Sequence, residues 1–127
     1  MHPGEPPEAG VDPVGDVYWV PDRWWGFRGT RTEDHPGACI AAVADIAMIK
    51  GTSQRPPYTF RQRYLRIEPD DHNGLRATTH FNLVPRRFSR FRLESLHQDS
   101  ERWAGRLAPG DLRRLQLAIH RLFGAAS

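Results

Sequence analysis

Gly15-Asp16-Val17-Tyr18-Trp19-Val20-Pro21 and Ala38-Cys39-Ile40-Ala41-Ala42-Val43 are two apolar runs separated by a long loop. The first run has the β-branched and aromatic content of a strand. Pro21 ends it, because proline has no N–H to give a sheet ladder. The loop carries Arg23, Trp24, Trp25, Phe27, Arg28 and Arg31, then Glu33-Asp34-His35-Pro36. A loop of that length in a small domain is functional or disordered. Its rings and cations mark it as a binding loop. The second run continues to Ile49 with almost unbroken apolar character, so periodicity cannot separate a buried helix from two short buried strands. Asp45 would mark the turn in the second case.

Outward from this stretch the chain reads as one domain. Its 127 residues suffice for a core without staples. Residues 1–13, rich in Pro, Gly and Glu, read as a flexible N-terminal arm. Lys50-Gly51-Thr52-Ser53-Gln54-Arg55-Pro56-Pro57 is a break. Tyr58 to Ile67 then reads as a strand, and Asn73-Gly74 as a hairpin turn. Leu75 to Val84 reads as the return strand, with Arg76, Thr78, His80 and Asn82 along a polar face that meets solvent or walls a site. Phe91 and Leu93 suggest a further short strand, and Trp103 and Leu107 a return to the core. Asp111, as N-cap, opens a helix with apolar residues at Leu112, Leu115, Ala118, Ile119, Leu122 and Phe123. Gly124 ends it.

Composition narrows the function classes. No apolar run reaches the ~20 residues of a membrane helix, and the N-terminus lacks the pattern of a secretion signal. Cys39 is the only cysteine, so no internal disulfide points to an oxidising compartment. These features predict a cytoplasmic protein with no membrane partner. The net charge is +3, with 18 basic residues of which only Lys50 is lysine. Arginine forks onto phosphate and stacks on rings, as a nucleic-acid binder requires. An arginine-rich codon bias explains the same count.

Gly15-Asp16-Val17-Tyr18-Trp19-Val20, Gly29-Thr30-Arg31, His35-Pro36 before Gly37-Ala38-Cys39-Ile40, Gly51-Thr52-Ser53 after an apolar strand, and Gly105-Arg106-Leu107 before the last helix occur in a telling order. Together they resemble the MazF/PemK/Kid toxins of type II toxin–antitoxin systems, over residues 14–124. The resemblance implies an α+β fold: a small SH3-like antiparallel β-barrel with a C-terminal helix, working as a homodimer. It resolves Ala38–Ile49 into two strands. It implies a metal-independent endoribonuclease that cuts single-stranded RNA without a cofactor, and a cognate antitoxin that fills the RNA groove. The family's loop arginine before proline is His35 here, and its later Arg-x-Asp has its nearest match in His80-Phe81-Asn82.

Metal-free RNA cleavage needs a base for the 2′-OH, an acid for the 5′-oxygen and a cation for the phosphorane. His35 and His80 suit the first two roles, and Arg31 the third. Thr52 and Ser53 would hold a phosphate oxygen. Trp24, Trp25 and Phe27 would stack bases, with one tryptophan expected to plug the barrel end or an interface. Arg28, Asn82, Arg86 and Arg87 complete the expected RNA-binding set. Glu33-Asp34-His35 and Asp70-Asp71-His72 lack a recognised ligand spacing, so no metal site is expected. Two other readings share the barrel: a binding module for nucleic acid or protein without catalysis, and a gyrase-poison type of toxin.

Overall fold

The computed structural model describes residues 12–26 and 33–124. It is an α+β protein built on a seven-stranded, antiparallel sheet. The strands are β1 (Asp16–Pro21), β2 (Asp34–Ala41), β3 (Ile46–Thr52), β4 (Tyr64–Ile67), β5 (Thr79–Asn82), β6 (Arg86–Phe88) and β7 (Trp103–Arg106). Their order is β4-β5-β3-β2-β1-β7, with β6 also on β3. The sheet is open, with β4 and β7 at the ends of the path. β3 meets β2 along one edge, while β6 takes the first half of its other edge and β5 the second. Helix α1 spans Arg90–Gln98, and α2 spans Pro109–Phe123.

The apolar run at Ala38–Ile49 is a β-hairpin; burial on both faces explains the pattern of its two strands, whereas the turn is largely exposed, Val43 at 92%. Val17, Ala38, Ile40 and Ile49 point to one side, where Ile67, Phe81, Leu83, Leu107 and Leu115 of α2 complete a core. Tyr18, Val20, Cys39 and Met48 point to the other, beneath Trp25, Phe88 and Leu93 and Leu96 of α1. Alternation is kept, but both phases are apolar, so the run looks continuous. The turn between the strands places Ala44 at φ 66°.

Six expectations change. The break read from Lys50 to Pro57 begins only after Thr52, because Lys50, Gly51 and Thr52 finish β3, and the return strand read from Leu75 to Val84 shortens to Thr79–Asn82. Tyr58–Ile67 is not one strand: Tyr58–Arg63 forms a 3-10 segment and only Tyr64–Ile67 pairs. Pro56-Pro57 sets its entry, with Pro57 at φ −55°. Asn73-Gly74 is not a two-residue hairpin turn. β4 and β5 pair from Tyr64↔Asn82 to Ile67↔Thr79, and residues 68–78 connect them. Buried Asn73 organises that connection, accepting from the N–H groups of Asp70 and Leu75 and donating to the Glu68 carbonyl. Phe91 and Leu93 lie in α1 rather than a strand. Ser89 caps that helix, its hydroxyl accepting from Arg92 N at 3.1 Å. α2 starts at Pro109 with Ala108 as its N-cap, so Asp111 lies inside the first turn and is not the cap. Its carboxylate instead accepts from Arg114 at 3.2 Å. Among the described residues, no helix is long and apolar enough to cross a membrane.

Candidate functional site

His35 stands near the start of β2, opposite Val20 of β1. Asp22 follows β1 directly, in the 3-10 turn Asp22–Trp25. Its backbone N–H donates to the Glu33 carbonyl at 3.1 Å, which draws the two ends of the loop together. His35 Nδ1 lies 2.5 Å from Asp22 Oδ1. Asp22 is an acceptor as a carboxylate, so the bond requires a proton on Nδ1 and leaves Nε2 to act outward. The imidazole is 24% exposed and the carboxylate 10%: the orienting acid is buried, and the working ring reaches solvent.

Sheet parity places the other polar residues. Residues opposite each other on antiparallel strands share a face, and so do residues two apart on one strand. Gly37 faces Lys50, Thr52 faces His80, and His80 faces Arg66. His35, Lys50, Thr52, His80, Asn82 and Arg66 therefore lie on one face. Continuing the β2–β3 register sets His35 opposite Thr52, in a row that His80 extends. The recorded β2–β3 pairing ends at Gly37↔Lys50, while Thr52 and His80 are direct partners. Near β1 the same face is covered by α1 and Trp25, and this half stays polar.

Lys50 is half-buried beside the dyad. Burial lowers its pKa, and the Asp22 carboxylate opposes that shift. Gly37 opposite leaves room for Trp25, whose ring would meet any Cβ there. Neither Asp22 nor Lys50 was singled out for the site from the sequence. Asp22 reads as a turn residue, and no local pattern reveals that the chain returns to it at His35. Lys50 carried one signal, as the only lysine.

The remaining candidates divide. Thr52 is half-buried, and its Oγ1 accepts from Gln54 N at 3.2 Å. Ser53 is exposed beyond the strand end. Asn82 shares the face, with Oδ1 accepting from Val84 N at 3.0 Å. Arg86, opposite Met48, is exposed on the site face; Arg87, opposite Ala47, points to the other side and pairs with Asp45 at 3.2 Å. Trp25 is only 4% exposed and packs against Phe88, so it fills space and has no free face for a base. Trp24 is half-buried, with Arg92 Cζ 5.2 Å from its ring centroid. Phe27, Arg28 and Arg31 lie outside the described residues.

One group among the described residues has the geometry to hold a cation. Donor atoms of Asp22, Glu33 and His35 lie within 4.8 Å of one another. Two oxygens and a nitrogen suit a divalent metal such as zinc. The same three residues thus permit either a metal-free dyad or a metal centre, and chelation separates them. No protein-family model matches this chain, and no curated protein matches it.

Proposed function

We propose that this chain is a MazF-like endoribonuclease toxin that cleaves single-stranded RNA without metal. The observation that carries the reading is the buried Asp22 carboxylate on His35 Nδ1, on the sheet face that also bears Lys50, Thr52 and His80. An imidazole anchored at one nitrogen is prepared to take a proton at the other. His35 Nε2 takes the proton of the 2′-OH, whose oxygen attacks the adjacent phosphorus. As that P–O bond forms, the bond from phosphorus to the 5′-oxygen breaks. His80, starting protonated, gives its proton to the leaving oxygen. The products are a 2′,3′-cyclic phosphate and a 5′-hydroxyl. Lys50 and Arg31 offset the phosphorane charge, and Thr52 and Ser53 position the phosphate. Asp22 acts as a positioning residue through His35.

The split edge of β3 supports the further proposal that the sheet bends towards an SH3-like barrel. The reading brings with it a homodimer, a cognate antitoxin over the polar face, and action in the cytoplasm. The test is cleavage of a mixed-sequence RNA by purified protein in EDTA. Cyclic-phosphate ends are expected, and His35→Ala and His80→Ala each lose activity by about a hundredfold or more. Activity that vanishes in EDTA and returns with zinc assigns the Asp22–Glu33–His35 group to a metal instead. The binding-module reading has one observation in its favour: Thr52 and Asn82 each spend a side-chain oxygen on a local backbone N–H. Salt-sensitive RNA binding with intact RNA selects it.

A further inference from the structure

Outside the dyad, the surface carries a second unusual feature at the 3-10 segment Tyr58–Arg63. Tyr58 is 80% exposed and Phe60 49%. Each ring is covered by a cation of the same segment: Arg61 Cζ lies 5.1 Å from the Tyr58 centroid, and Arg63 Cζ 5.9 Å from that of Phe60. The segment is held at both ends. Phe60 N donates to the Pro57 carbonyl at 2.9 Å, and Leu83 N of the chain leaving β5 donates to the Arg63 carbonyl at 2.8 Å. Pro56-Pro57 stiffens the approach. Between Ile46 and Ile67 there is no acidic residue, whereas Lys50, Arg55, Arg61, Arg63 and Arg66 are all basic.

The geometry points to a base-stacking subsite for single-stranded nucleic acid at Tyr58 and Phe60. Exposed rings lose apolar area to any base laid on them. The guanidinium planes extend the stack and their N–H groups reach the phosphates. An anchored 3-10 segment pays little ordering entropy on binding. Its position fits the polar face: Tyr64, which follows the segment, pairs with Asn82 at the edge of that face. From Asn82 the same face of β5 leads to His80 and its partner Thr52. The subsite deepens the nuclease reading and rests on it for its substrate. It supplies what Trp25 cannot, because that ring is already packed.

The test uses a fluorescein-labelled oligo-dT of about ten nucleotides, a length within the usual single-strand site sizes. DNA lacks the 2′-OH, so binding is read without cleavage. Tyr58→Ala and Phe60→Ala are each expected to weaken binding by about tenfold, as loss of one stacked base does. Tyr58→Trp restores it, and binding of a duplex of equal length stays unchanged. Melting curves matching the wild type show that the variants fold, as the exposure of both rings predicts. Wild-type affinity in both alanine variants overturns the subsite, and so does an equal loss on duplex. A wild-type protein that binds no oligonucleotide also overturns it and leaves the surface to a protein partner. His35→Ala separates the two proposals. Unimpaired RNA cutting by that variant sinks the dyad mechanism but leaves the subsite, whereas unchanged oligo-dT binding by Tyr58→Ala and Phe60→Ala sinks the subsite but leaves the dyad.

Discussion

On the nuclease proposal Asp22 acts through His35, whose Nδ1 it holds. Asp22→Asn keeps the shape but offers Nδ1 a weaker, uncharged partner and can select the wrong tautomer. RNA cleavage is expected to fall by about a hundredfold or more in kcat with little change in KM, and the pH–rate profile is expected to shift. An unchanged profile identifies Asp22 as purely structural. Cys39 is buried in the core, and burial, aided by the Asp16 charge, pushes its thiol up to about 12. Iodoacetamide at mildly alkaline pH is therefore expected to leave it unlabelled in native protein and to label it in urea. Asp16 is fully buried, and accepts from Tyr18 Oη at 3.3 Å and Arg106 Nη1 at 3.1 Å. Burial raises its pKa above 3.8, and the Arg106 charge opposes the shift only in part. The native state then keeps a proton that the unfolded chain has lost. The contribution of this group to stability is full below 3.8 and is lost as pH rises through the raised value. Urea midpoints of wild type relative to Asp16→Asn should fall between acid and neutral pH; a rise refutes the assignment.

At the scale of elements, α1 shows why a strand expectation failed. Its sequence interleaves arginine and phenylalanine, and only Leu93 and Leu96 of the helix are buried, while Phe91 is 78% exposed. A short helix with so narrow an apolar stripe gives little periodicity. Its cap was the better signal, since Ser89 stands where an N-cap belongs. Ser89→Ala is expected to cost about 1 kcal/mol, and Leu96→Ala about 2–5 kcal/mol, both read from urea unfolding. The connection from β4 to β5 failed differently. Asn-Gly was present, but Gly74 adopts φ 69° so that the chain can pass against β7, where a Cβ would strike the Ala104 carbonyl. Gly74→Ala is expected to destabilise by about 2–4 kcal/mol, from left-handed backbone strain and overpacking.

At the scale of the whole molecule, the open sheet has two unequal faces. One is sealed by α2. The other is divided: α1 and Trp25 cover the part near β1, and the polar residues around His35 and His80 occupy the rest. The separation of His35 and His80 along the chain carries no information about this. The alternation within β5 does in part, because that strand shows one polar phase, but β2 shows none and the sequence cannot say which strands adjoin. The residues themselves determined the strand through Asp16–Val20, the Ser53–Pro57 part of the break after β3, the polar phase of β5 and the amphipathic α2, since local propensity and side-chain period act within a few residues. Tertiary structure alone decided that Asp22 meets His35, that β3 carries both β5 and β6, and that Trp25 packs while Tyr58 stays in solvent. Those outcomes depend on long-range strand pairing and on which apolar surface finds a partner, and neither is written in any single stretch of chain.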